Sequence, residues 1–262
     1  MLNREKLLAA LDKPDDRRFL ARVLDRFEAV LRHQGYEVTD FCDPYQQTLT
    51  DRAVGRLAEP GFEWRGGYQA AERRRLVIFP EYLDPATLDD GTVLLEITGN
   101  FRFQRVTHRD FLGALLSLGI KREKLGDIIV TGDGCQVFAD AGVKDYITWN
   151  LDKIHRVTVR VKEITSDKLC LPEVQAREIA ATVSSLRLDA VTGAGFGVSR
   201  TRMAGEIASE KVRLNWFVNK DTAAEVKAGD VISCRGLGRL EVSAVGGVTK
   251  KGRISITIKR YQ

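Results

Sequence analysis

Between residues 92 and 161, strand-like and helical segments follow one another in an order that few folds accept. TVLLEIT at 92–98 has the apolar and β-branched content of a strand, and 107–118 places Phe111, Leu112, Leu115 and Leu116 on one side of a helix. Residues 126–131 and 136–139 are short strands joined by Gly132-Asp133-Gly134, residues that tolerate the backbone of a tight hairpin. A helix over 144–151 and the alternating run RVTVRV at 156–161 complete the series. The order is β-α-β-β-α-β, the split βαβ or ferredoxin-like arrangement. RNA-recognition domains share this topology, but their aromatics clustered on a central strand are missing here, so the segment by itself is not read as RNA-binding.

The flanks differ in character. Phe19, Leu20, Val23, Leu24, Phe27 and Leu31 make an apolar stripe on a helix over 15–34, which Gly35 ends. Arg18, Arg22 and Arg26 form a basic ridge opposite, which is either an RNA contact or a solvated face. A second helix is expected over 43–58, with Asp43 as its cap and Pro44 at its first position, and 74–79 is a strand stopped by Pro80. Residues 165–186 read as a connection, broken at Leu171-Pro172-Glu173, with 178–183 a strand leading onward. The expected fold class is therefore α+β: a mostly helical region at 1–80, a ferredoxin-like domain at 81–165, a connection at 166–186, and a separate domain at 187–262.

Composition excludes several function classes. With 44% hydrophobic and 29% charged residues, the chain has material for buried cores and is not a disordered polymer. No apolar run approaches the roughly 20 residues of a membrane span, and the charged start lacks a signal peptide's apolar stretch. Cys42, Cys135, Cys170 and Cys234 are spaced by 93, 35 and 64 residues, which matches no zinc pattern and fits a reducing, cytoplasmic setting. His33, His108 and His155 stand alone, and no Ser, His and Asp grouping reads as a triad. Gly193-x-Gly195-x-Gly197 fails the spacing of a dinucleotide loop and is read as a loop between two helices. No metal or cofactor is expected.

The charge is uneven. Residues 187–262 hold 14 Lys and Arg against 7 Asp and Glu, a net of +7, whereas the rest of the chain is near neutral. Such asymmetry suits either a polyanion-binding module or a solvated basic surface. Within this segment Leu188 and Val191 start an apolar helix. Ser199 caps a second one, with Met203, Ala204, Ile207 and Ala208 as its core stripe. Arg200 and Arg202 lie in its first turn, where unpaired N–H groups favour phosphate. Both are expected at the surface, so reversing their charge should leave stability alone. Residues 211–218 read as one strand, and 231–235, 240–245 and 254–258 as three more.

Arg187-Leu188-Asp189, Ser199-Arg200-Thr201-Arg202, Lys211-Val212, Val218-Asn219, Gly229-Asp230-Val231-Ile232 and Arg235-Gly236 occur in the order of the S4 RNA-binding domain, which this stretch resembles. The resemblance implies a two-helix motif with a small sheet, and RNA-facing positions at Arg187, Ser199, Arg200, Arg202, Lys211, Lys220, Arg235 and Arg239. The bland alternative for each is a surface ion pair, such as Arg202 with Glu206. Trp216-Phe217 is bulkier than usual, and Asn219-Lys220 stands where Asn-Gly is common.

The run from Gly119 to Ile128, GIKREKLGDI, is similar to a recurrent stretch of the YlmH family, including its photosystem II S4 domain branch. That likeness spans nearly the whole chain. It implies a monomeric, non-enzymatic protein that binds rRNA or tRNA on the large ribosomal subunit, in rescue or quality control of stalled translation. It also implies a cytoplasmic location, or a stromal one in a plastid. Two rivals remain: an RNA-modifying enzyme carrying an S4 module, and a photosystem assembly partner acting through protein contacts. Against the first, the only Arg-Leu-Asp triplet that a pseudouridine synthase could use is the one opening the S4 segment.

Overall fold

The computed structural model describes residues 4–33, 35–55, 57, 59–102, 104, 106–171 and 176–261. The chain divides into two units, 1–172 and 173–262. The break expected at Pro172-Glu173 lies outside the described residues, as do Gln34 and the Arg56 and Ala58 of the expected helices.

The first unit begins with α1 (Arg4–Ala9) and α2 (Pro14–His33), followed by β1 (Glu37–Val38), α3 (Pro44–Val54), β2 (Gly61–Arg65) and β3 (Arg75–Phe79). The strands form an antiparallel sheet in the order β1-β3-β2. Helix α2 buries Leu20, Val23, Leu24, Phe27 and Val30 against Leu76 and Ile78 of β3. Leu31, expected on that stripe, is 53% exposed. Val30 takes its place because it continues the three- and four-residue spacing from Val23 and Phe27, whereas Leu31 sits at the margin. Of the basic ridge, Arg18 pairs with Asp15, and Arg26 with Glu37 at 2.8 Å. Helix α3 starts with a full capping box: Gln46 N–H donates to Asp43 Oδ1 and Asp43 N–H to Gln46 Oε1, both at 2.9 Å.

Next come β4 (Thr92–Gly99), α4 (His108–Ser117), β5 (Leu125–Thr131), β6 (Gly134–Asp140), α5 (Ala141–Asn150), β7 (Lys153–Ile154) and β8 (Val157–Ile164). The sheet order is β5-β6-β4-β8-β7, all antiparallel. Apart from the short β7, the first strand lies between the third and fourth and the second lies beyond the third, as the split βαβ order requires. Helices α4 and α5 cover one face, where Leu95, Ile97, Phe111, Leu115, Val137 and Ile147 are buried together.

The other face is covered as well. Leu94, Ile129, Phe138 and Ile164 pack with Phe41 and Tyr68 of the preceding region. The Tyr68 ring stacks on Phe138 with centroids 5.5 Å apart, and its hydroxyl donates to Asp127 at 2.8 Å. Burial and the Asp127 carboxylate together raise the Tyr68 phenol well above its ordinary value. Arg75, only 7% exposed, ties the two sheets together: it pairs with Asp140 at 3.0 Å and donates to the carbonyls of Thr39 and Gly91. The two sheets of the first unit thus pack against one another through these residues.

The second unit opens with β9 (Ala176–Val183), then α6 (Leu188–Phe196), α7 (Arg200–Ala208), β10 (Val212–Leu214), β11 (Phe217–Val218), β12 (Val231–Cys234), β13 (Gly238–Val248) and β14 (Ile254–Tyr261). Its sheet runs β11-β10-β12-β13-β14-β9, antiparallel throughout. Strand β9, placed by sequence in a connection, is an edge strand paired along its whole length with β14. The helices pack on one face over Val212, Ile232, Leu240, Val242, Ile256 and Ile258.

Two sequence expectations change here. Gly193 and Gly195 lie inside α6 rather than in a loop, and only Gly197 ends it, at φ +70°. Gly195 is where the helix meets the sheet: an added Cβ would sit 2.5 Å from Leu240 Cδ1. The strand expected over 211–218 is also interrupted. Leu214 pairs with Phe217 across a two-residue turn, with Asn215 at φ +48° and Trp216 at φ +73°. Tryptophan gave no turn signal in the sequence because such positions favour glycine.

Candidate nucleic-acid interface

Helix α6 starts where the segment 222–226 docks on it. Leu188 N–H donates to Ala224 O at 2.9 Å, and Val226 N–H to Leu186 O at 2.8 Å. This encloses Asp189, whose residue is 4% exposed. Two guanidinium groups converge on its carboxylate. Arg187, at the helix cap, reaches it with contacts of 3.2 and 3.3 Å, and Arg200 Nε, from the start of α7, lies 3.0 Å from Oδ2. Burial alone would raise this carboxyl, but the bonds from Arg187 and Arg200 outweigh it and hold Asp189 below its ordinary value. One buried anion therefore aims two half-exposed cations from the N-termini of two helices.

Ser199 caps α7, its Oγ accepting from Arg202 N–H at 3.2 Å. Arg202 is exposed. The pair considered for it, with Glu206, is taken by Lys211 instead, at 2.7 Å from Glu206. The Lys211 ammonium, acting first through that bond, keeps Glu206 below the usual carboxylate range. Arg235 N–H donates to Lys211 O at 3.0 Å, which sets the exposed Arg235 against the chain just past the C-terminal end of α7. Lys220 pairs with Glu210 at 2.6 Å.

The eight sequence-derived positions therefore do not form one surface. Arg187, Ser199, Arg200 and Arg202 come together at the helix starts, and Lys211 and Arg235 form a neighbouring pair. Arg239 is elsewhere. Its neighbour Leu240 points into the core, so by strand alternation Arg239 faces away from the helices, in register with Ser233, Arg213 and Tyr261. Arg200 is no simple surface residue either. Its side chain is exposed as expected, but its ion pair with a buried carboxylate argues that reversing its charge would cost stability.

Asp189 and Arg253 were missed by sequence reasoning. Asp189 was read only as part of an opening motif, since its partner Arg200 becomes a neighbour only when the helices pack. Arg253 grips Thr182, with Nε 3.1 Å from its Oγ1. With Arg200 it flanks a groove of about 350 Å³ whose floor includes Ala190, Gly193 and Ala194. No local spacing signals that placement.

In the first unit, Thr98, Asn100, Arg102, Asp133 and Arg160 line an open cleft of about 720 Å³ at one end of the β4–β8 sheet. Cys42, Cys135 and Cys234 are buried; burial pushes the Cys42 thiol up to about 12 and raises the other two. Among the described residues there is no group of three or more potential metal ligands, and no helix is long and apolar enough to cross a membrane.

Comparison with known proteins identifies the relatives of this arrangement. A family model described as "YlmH, N-terminal" matches residues 15–83, and one described as "Putative RNA-binding domain in YlmH" matches residues 85–168. The second falls on the segment from which the sequence reading withheld RNA binding for want of clustered aromatics. Phe41 and Tyr68 cover much of the face where such aromatics would lie, so an RNA-contacting role there must rest on other groups. The ribosome-associated protein quality control protein P2 of Bacillus subtilis (strain 168) is 33% identical over 250 residues, covering 95% of this chain and 97% of that protein. A solved structure, cell division protein ylmH from Streptococcus pneumoniae, superposes with a TM-score of 0.52 at 25% identity, over 61% of this chain and 98% of that one. The chain belongs to the YlmH family.

Proposed function

We propose that this protein binds structured RNA, rRNA or tRNA, on the large ribosomal subunit in the rescue or quality control of stalled translation, and that it acts by binding rather than by catalysis. The observation that carries the RNA reading is the Arg187–Asp189–Arg200 clamp. Guanidinium groups held in place beside helix N-termini meet phosphates without first losing side-chain freedom. The ribosomal part draws on whole-length similarity to the Bacillus subtilis protein and on its name. Exposed Arg102 and Arg160 offer a second phosphate contact in the first unit. The clamp also speaks against the synthase rival. Asp189 is buried and engaged by two cations, so its oxygens are committed to ion pairs rather than presented to a substrate.

Sedimentation tests this directly. The full chain is expected to co-migrate with large subunits, or with large subunits carrying peptidyl-tRNA, at low salt and to be released at high salt as counterions recondense on the RNA. Protein that stays at the top of the gradient at every salt concentration, with stalled subunits present, would sink the ribosomal reading. Co-purification with photosystem components after RNase treatment would promote the assembly-partner alternative.

A further inference from the structure

The geometry points to a second RNA contact in the C-terminal unit: a stacking site for one unpaired base on the outer face of the sheet, built from Trp216, Arg239 and Tyr261 with Arg213 beside it. It extends the RNA-binding reading above and lies on the face turned away from the helices that carry the arginine clamp.

The first observation is the turn. Asn215 and Trp216 both have positive φ in a two-residue hairpin, the geometry for which Asn-Gly is the usual solution. Asn215 meets that demand and anchors the turn: its Nδ2 donates to Asp230 at 2.7 Å, and its Oδ1 accepts from Val231 N–H at 3.0 Å. Trp216 suits the position poorly, since a bulky L-residue is strained in the left-handed region. The strain gains no core packing either, because the buried cluster of this unit and the side chains packed against it do not include Trp216. Strained residues of this kind concentrate at functional sites.

The second observation is what surrounds the indole. The Arg239 guanidinium lies 5.9 Å from the Trp216 ring centroid and 4.7 Å from that of Tyr261, so two partly buried aromatic residues flank one planar cation. The Tyr261 hydroxyl donates to Glu241, which fixes that ring. Arg213, exposed and in register with Ser233 and Arg239 across the sheet, adds a cation for the phosphate of the bound nucleotide. Lys259 lies on the same face, together with the acidic Glu241 and Glu178. Rings and a guanidinium plane at one spot are the means by which proteins hold splayed-out bases, and every base offers a π-face to them.

The test uses the full-length protein and a single-stranded oligoadenylate of about six nucleotides, the scale of an aromatic-lined single-strand groove. It is done at high salt so that phosphate attraction is suppressed. Tryptophan fluorescence should be quenched on binding. Trp216→Gly should abolish most of that quenching and weaken binding about ten-fold, the loss expected for one stacked base. It should leave the melting temperature unchanged or higher, because glycine relieves the turn. Trp216→Tyr should restore most of the affinity, and Trp216→Asn, which also tolerates the turn, should not. Equal affinity and quenching in the wild type and Trp216→Gly would overturn the site. So would loss of folding in both the Gly and Asn variants, which would make the indole a structural element. No quenching in the wild type would also overturn it and leave a protein partner as the occupant of this face. Large-subunit association through the helix pair is read separately at low salt, so its failure and the failure of this site are distinguishable.

Discussion

Replacing Asp189 with alanine is expected to destabilise the C-terminal unit by about 2–3 kcal/mol, measured by urea denaturation of the full chain. Breaking a buried ion pair commonly costs about 3–5 kcal/mol because a charge is stranded in the interior. Here the stranded charges are Arg187 and Arg200, whose side chains are 38% and 50% exposed and can turn to water, so the cost is smaller. RNA affinity should fall as well, although Asp189 is anionic and removing it makes the surface more positive. That opposition separates positioning from simple charge: if positive charge alone mattered, the variant would bind RNA more tightly. The pH dependence has a definite sign. Arg187 and Arg200 hold the Asp189 carboxyl below its ordinary value, so its contribution is fully present above about pH 4 and is lost as pH falls through the depressed folded-state value. The alanine variant should show a correspondingly weaker loss of stability in that acid range.

The largest effect on binding is expected from Arg202→Glu combined with Arg235→Glu. Both side chains are exposed, and neither makes an ion pair among the described residues, so the change should leave the urea midpoint nearly unaltered. Association with large subunits should weaken roughly 100-fold at low salt, since two phosphate attractions become two repulsions. The slope of log affinity against log salt should become shallower by about 2, one for each phosphate that the protein no longer neutralises. A folded double variant with an unchanged slope would remove these residues from the interface. Reversing Arg200 is a poorer test than the sequence suggested, because it sets a second carboxylate against buried Asp189 and confounds stability with binding.

Features governed by a few consecutive residues were legible in the sequence. The Asp43 capping box, the Ser199 cap and the β-α-β-β-α-β order each depend on backbone hydrogen bonding and on apolar spacing within one element. The concentration of positive charge in the last 76 residues is a property of composition. Only the tertiary structure decided which charges act together. Asp189 meets Arg200 because α6 and α7 pack, and Arg239 leaves the clamp's face because Leu240 must enter the core; Lys211 takes Glu206 from Arg202 more locally, where the chain turns just past α7 and Lys211 N–H donates to Glu206 O at 3.1 Å. Phe41 and Tyr68 cover a sheet face that their own segments give no hint of. The break at Asn215-Trp216 is of the same kind: Trp216 is unsuited to the turn by propensity. It is held there because Asn215 is fastened to Asp230 and Val231, distant in the chain and adjacent only once the sheet has formed.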